Sequence, residues 1–167
     1  MTEIIVIDTN VFEHAFNPQN NTGNHINSLF KKIVEQAKKL GIDQSGGAGQ
    51  SRIIGEYNHR FQPLRKLSDP GNFSEMLRYM FDAQNHVLCP MDLADALSRC
   101  FSRHLATVGA EPSDRIFVYV AGSLDCIMIT NDAGHILNIG TDLKTCATIQ
   151  GSLNTDFVSS IAAEAAM

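Results

Sequence analysis

Apolar residues along the chain fall into short β-branched runs that stop abruptly at polar turns, separated by stretches of helical period. Ile4 to Ile7 is one such run; it ends in Asp8-Thr9-Asn10, the pattern of a buried parallel strand meeting a turn. Ile26, Leu29, Phe30, Ile33, Val34, Ala37 and Leu40 recur at three- and four-residue spacing, which predicts an amphipathic helix stopped at Gly41. Ile53, Ile54, Tyr57 and Phe61 predict another, ended or kinked at Pro63. Further helices are expected over about 72–83 and 92–108, with His86-Val87-Leu88 as a short strand between them. Pro112-Ser113-Asp114 has the chemistry of a helix start, and Cys126 to Thr130 is a second apolar run that ends in Asn131-Asp132. A last strand from Thr145 to Ile149 and a helix from about Thr155 complete the pattern. Asn17 to Asn24 and the glycine-rich Ser45 to Gln50 read as loops. Strands alternating with helices predict an α/β fold with a mostly parallel sheet.

At 167 residues the chain is one domain's worth, and 44% hydrophobic with 19% charged residues excludes disorder, collagen and coiled coil. No apolar run approaches the roughly 20 residues of a membrane span, and the N-terminus lacks the positive region of a signal peptide, so a cytoplasmic protein is expected. Cys89, Cys100, Cys126 and Cys146 form no C-x-x-C pair, which predicts buried free thiols. The net charge of −5 argues at first against nucleic acid. Its distribution weakens that argument: residues 31 to 66 hold eight bases against three acids, a local charge of +5. That segment suits either a solvated helix face or a phosphate-binding surface.

In open α/β sheets, ligands bind beyond the carboxyl ends of the strands. Asp8 and Asp132 both sit immediately after a predicted strand, where each also has the chemistry of a turn or helix cap. Glu56, early in the helix after the glycine loop, and Asp114, near a helix start, can project to the same end. Carboxylates packed together repel and raise one another's pKa, a conflict that a divalent cation resolves. Oxygen-only ligands suit Mg²⁺ or Mn²⁺ rather than zinc, and such an ion makes a nucleophile of bound water, so the chemistry expected is phosphodiester hydrolysis. No G-x-S-x-G elbow or P-loop is present. The six histidines show no recurring ligand spacing and are expected to be solvated or in the core, and Gly46, Gly47 and Gly49 do not match a dinucleotide fingerprint.

The motif Ile4-Ile5-Val6-Ile7-Asp8-Thr9-Asn10-Val11-Phe12 resembles the opening of PIN-domain nucleases, and Ile127-Met128-Ile129-Thr130-Asn131-Asp132 resembles their late motif. Glu56 in Arg52-Ile53-Ile54-Gly55-Glu56-Tyr57 and Asp114 in Pro112-Ser113-Asp114-Arg115 match the two intervening acids. The resemblance spans residues 3 to about 160 and implies a single domain, 1–167, folded as a three-layer α/β/α sandwich with a central, mostly parallel sheet. It implies a Mg²⁺- or Mn²⁺-dependent nuclease, most often an endoribonuclease of the toxin or RNA-processing kind. Asp8, Asp114 and Asp132 would then hold metal directly or through water, and Glu56 would hold metal or orient the attacking water. Asn10, Thr130 and Asn131 would position ligands, and Arg52, Arg60, Lys31 and Lys32 are candidates for substrate phosphate. Glu111 competes with Asp114, and Asp43 is a spare acid near the glycine loop. RNA, an inhibitory protein partner and a homodimer are the partners implied, with no membrane. A structure-specific DNA nuclease and a catalytically silent RNA- or protein-binding module are the alternatives; four filled acid positions favour activity.

Overall fold

In the computed structural model, which describes residues 3–15, 23–46, 50–61, 71–89 and 95–167, five strands form one parallel sheet. They are β1 (Ile4–Ile7), β2 (Lys39–Asp43), β3 (His86–Cys89), β4 (Ile127–Ile129) and β5 (Asp156–Val158), in the order β3-β2-β1-β4-β5. The connecting helices are α1 (Thr9–Ala15), α2 (Gly23–Glu35), α3 (Arg52–Phe61), α4 (Gly71–Phe81), α5 (Ala96–Thr107), α6 (Pro112–Ser123) and α7 (Gly140–Ile149), and α8 (Ser160–Ala166) ends the chain. Ile5, Val6, Ile7, Met128 and Ile129 are buried whichever way they point, as central strands covered on both faces require. Right-handed crossovers put the helices after β1 and β2 on one face and those flanking β4 on the other, which gives the three-layer α/β/α sandwich.

The layer carrying α6 approaches the sheet very closely. A Cβ at Gly41 of β2 would lie 2.8 Å from Leu124 and 3.0 Å from Val6, and one at Gly122 of α6 would lie 2.4 Å from the Phe101 ring of α5. These glycines let α6 lie flat between β2 and α5. On the other layer, Phe12 stacks on Phe30 and meets Phe61 edge-on, so α1, α2 and α3 share an aromatic core.

Two strands differ from the sequence expectation. The helix predicted to run to Gly41 ends at Glu35; Ala37 turns the chain with φ 49°, and Leu40 and Gly41 belong to β2. Leu40 falls in helical phase by coincidence. The predicted strand Thr145–Ile149 is instead the last half of α7, and the final strand is Asp156–Val158. Leu143, Cys146 and Ala147 are buried at helical spacing, and the β-branched Thr145 and Thr148 are accommodated by hydroxyls that donate to the carbonyls of Thr141 and Lys144, both at 2.9 Å. Tertiary packing overrides their strand propensity.

The cysteine expectation is corrected in part. Cys89 and Cys126 are buried thiols outside the disulfide, and burial pushes Cys126 up to about 12. Cys100 and Cys146 instead form a disulfide, with Cα atoms 5.9 Å apart, that ties α5 to α7. The apolar C-terminal tail packs on α2. Lys32 Nζ lies 2.9 Å from a Glu164 carboxylate oxygen, Ser28 Oγ donates to the same carboxylate at 2.8 Å, and Gln36 donates to the Met167 carbonyl at 2.9 Å. Pro63, Arg65, Lys66, Gly47, Gly49 and most of the Asn17–Asn24 loop lie outside the described residues. Among those described, no helix is long and apolar enough to cross a membrane.

Candidate functional site

The chain leaves β1 toward β2 on one side and returns to β4 on the other, so the carboxyl ends of β1 and β4 border the crevice where the strand order reverses. Asp8 and Thr130 follow these strands directly. The ladder continues past them, with Asp8 N donating to Ile129 O at 2.9 Å and Thr130 N to Val158 O at 3.0 Å, which fixes both backbones beside each other. Thr130 Oγ1 then donates to Asp8 Oδ2 at 2.9 Å, and Asn10 Nδ2 donates to the same oxygen at 2.9 Å. Asn10 Oδ1 accepts from Asn131 N at 2.9 Å, so the two polar turns are laced together side chain to backbone. Asn131 Oδ1 accepts from both N and Oγ of Ser160, at 3.0 and 2.9 Å, and His25 Nε2 stands 3.0 Å from that hydroxyl. Asn131 thus faces the start of α8, and its side chain joins the polar turn to the C-terminal helix.

Asp132 accepts from His135 twice, from the backbone N at 3.0 Å and from ring Nδ1 at 3.1 Å. Asp114 sits in the first turn of α6, whose N-terminal proline fixes the helix start. Asp8, Asn10, Arg60, Asp114, Asp132 and His135 line one open cleft of about 350 Å³. Burial pushes the Asp8 carboxyl up to about 6; the charges of Asp114 and Asp132 push the same way, and the bonds from Thr130 and Asn10 pull back. Asp114 is raised too, first by burial and then by Asp132, with Glu111 and Glu56 adding to it and His135 opposing. Three carboxyls therefore face one space under mutual repulsion.

Such a donor set fits a hard divalent cation. The three carboxylates are nevertheless more widely spread than a compact trio. Among the described residues, the group whose ligand atoms all lie within 4.8 Å of one another is Cys100, His104 and Cys146. Mg²⁺ holds oxygens at about 2.1 Å and keeps several waters, so an ion in the cleft would reach part of the carboxylate set through water.

Glu56 is placed beside this cleft rather than in it. It lines an adjoining cavity with Arg52, Ile53, Pro112 and Ser113, within electrostatic reach of Asp114. Arg60, one turn further along α3, reaches the cleft itself. Glu111 is the residue before α6, without a side-chain bond to the helix start. Asp43 is wholly buried at the end of β2 and caps α3, accepting from Ser51 Oγ at 2.7 Å, Arg52 N at 3.1 Å and Ile53 N at 2.9 Å. It fixes the helix that carries Glu56 and Arg60.

The described members of the basic segment do not make one face. Lys31 pairs with Glu35 at 3.8 Å on the solvent side of α2, Lys32 is bound to Glu164, and Lys39 donates to Gln84 O at 2.7 Å at the amino end of the sheet, away from Asp8. Of the described members, Arg52 and Arg60 lie near the carboxyl end. His135 escaped the sequence reading; the signal for it was its position three residues after Asp132, on the same turn.

No family model matches the chain, and no curated protein matches it. Among solved structures, the crystal structure of FitAcB from Neisseria gonorrhoeae matches with a TM-score of 0.47 at 12% identity, over 94% of this chain and 98% of that one.

Proposed function

We propose that the protein is a single-domain, metal-dependent nuclease of the PIN type, an endoribonuclease that hydrolyses RNA phosphodiester bonds. The observation that carries this reading is the convergence of Asp8, Asp114 and Asp132 on one open cleft at the strand-order reversal, from the turn after β1, the first turn of α6 and the turn after β4. The order of these acids, the D-T-N turn and the T-N-D turn are those of the resemblance described above.

In this reading Asp8, Asp114 and Asp132 would hold Mg²⁺ or Mn²⁺, directly or through water. The chemistry such an ion would supply is a lowered pKa for a bound water and neutralisation of charge on the phosphate oxygens. Thr130 and Asn10 fix the rotamer of Asp8 through two bonds to Oδ2, while Oδ1 takes only longer ones, from Thr9 Oγ1 at 3.4 Å and Asn10 N at 3.5 Å. His135 does the same for Asp132. Glu56 polarises water from the flank, and Arg60 offers a guanidinium to a phosphate. An inhibitory protein partner, a homodimer and a cytoplasmic setting belong to the same reading.

The test is incubation of the purified protein with single-stranded RNA and DNA in Mg²⁺, Mn²⁺ or EDTA, beside Asp8→Asn. Cleavage of RNA that needs the metal and falls to background in Asp8→Asn is expected. Cleavage that persists in EDTA or in the variant overturns the mechanism, preference for DNA moves the substrate class, and failure to bind Mn²⁺ at millimolar concentration leaves a silent module.

A further inference from the structure

We infer that Cys100, His104 and Cys146 form, in the reduced protein, a binding site for a soft divalent cation of the Zn²⁺ class, and that the cation and the disulfide compete for the same two sulfurs. Cys100 and His104 are four residues apart on α5 and so project from one helix face. Cys146 comes from α7, which packs against that face and already brings its sulfur to Cys100. One ligand atom from each of the three lies within 4.8 Å of the others. Tetrahedral zinc, with S at about 2.3 Å and N at about 2.0 Å, spaces its ligand atoms by roughly 3.5–4 Å, so the trio needs only side-chain rotation once the S–S bond is open.

The donor chemistry separates this site from the carboxylate cleft. Two thiolates and an imidazole select Zn²⁺ over Mg²⁺, whereas Asp8, Asp114 and Asp132 offer only oxygen. The two sites share no residue. Cys146 is buried while Cys100 and His104 are half-buried, so the ion is enclosed from below and reachable from the surface, with its fourth position open to water. Two thiolates also cancel the charge of the ion, and their deprotonation makes binding release protons.

Exchange between the two states balances with a low-molecular-weight disulfide as oxidant. The two protein thiolates give up two electrons and join as the Cys100–Cys146 bond, the small disulfide is cleaved to two thiolates, and the cation leaves. In either state α5 stays clamped to α7.

The experiment reduces the whole protein with a phosphine, removes the reductant under anaerobic conditions, and titrates Co²⁺ as a spectroscopic probe, with Zn²⁺ as competitor. One equivalent of Co²⁺ should give thiolate-to-metal charge transfer and the intense visible bands of tetrahedral cobalt, and one equivalent of Zn²⁺ should erase them. Cys146→Ser and the oxidised protein should lack the charge-transfer band. Asp114→Asn, which reports on the carboxylate cleft, should keep it. His104 is at the half-exposed rim, so His104→Ala should stay folded by circular dichroism and bind about tenfold or more weakly, since even partners one layer out are worth about that much. Absence of the thiolate band from reduced protein, an unchanged band in Cys146→Ser, or undiminished affinity in folded His104→Ala would each overturn the proposal.

Discussion

Asp8 and Asp43 occupy equivalent places, one residue past β1 and the last residue of β2, on neighbouring parallel strands, and both are buried, at 1% and 0% exposure. Their chemistry is opposite. Asp43 accepts from three backbone N–H groups and two hydroxyls, of Ser45, Ser51, Arg52 and Ile53, and although burial pushes its carboxyl up, these bonds together hold it below the usual range. Asp8 is raised to about 6, first by burial, with fewer good donors to offset it and two more carboxylates in view that add to the rise. Burial alone therefore does not mark a site. The supply of donors does: a saturated buried carboxylate is a structural cap, and an under-supplied one beside like charges is poised to take a cation.

The largest effect expected from this contrast is on stability. Asp43→Ala strips the acceptor from the first turn of α3 and leaves buried Ile53 N–H without a partner, and loss of a charged hub of this kind should cost about 3–5 kcal/mol in urea unfolding. A loss below about 1 kcal/mol would remove the structural role assigned to it.

The next effect is a pH dependence of opposite sign at the two aspartates. Asp8 rises from 3.8 to about 6 on folding, so the native state binds its proton more tightly and the metal-free protein loses stability as pH rises through that window. The two-unit shift corresponds to roughly 3 kcal/mol. Asp43 is lowered, so its contribution is present above 3.8 and is lost as pH falls below it. Asp8→Asn should flatten the profile between about pH 4 and 6 and make the EDTA-treated protein more stable at pH 7 by about 1–3 kcal/mol, while abolishing Mn²⁺ binding in the cleft. An unchanged profile in the variant would mean that the buried charge is not where the instability lies.

Asp8 and Asp132 were legible from sequence because a β-branched run that ends in an acid is unusual unless the acid has a task at the strand end. Asp114 was legible through the proline that starts α6. The position of Glu56 on the flank was not, because helix phase depends on how Asp43 sets the start of α3. β2 was hidden because Leu40 continues the heptad-like phase of α2 across the reversal at Ala37. Two misreadings compounded: with Thr145–Ile149 taken as a strand, Cys146 had no reason to meet α5, and the expectation that no His stands at ligand spacing to the cysteines overlooked Cys100 and His104, four residues apart. Local periodicity carries elements well and carries contacts between distant helices not at all.

The smallest predicted effect tests the donor argument most directly. Thr130 Oγ1 donates to Asp8 Oδ2 at 2.9 Å and accepts from Asn10 Nδ2 at 3.3 Å and Asp132 N at 3.1 Å. Thr130→Val keeps the shape of a wholly buried side chain and removes only the hydroxyl. Of the two bonds that pull the Asp8 carboxyl down, the one from Thr130 is the stronger, so its loss should move the titration of Asp8 upward, making it still less like Asp43. The stability cost should be modest, about 1–2 kcal/mol: three bonds are lost, but Asn10 Nδ2 keeps its bond to Asp8 and only the Asp132 amide is left short of an acceptor. Carboxyl-carbon NMR titration of the metal-free protein reads the shift at Asp8 independently of folding. If Asp8 titrates at the same pH in Thr130→Val as in the parent, the donors do not set its charge, and burial and the neighbouring carboxylates alone must account for the difference between the two aspartates.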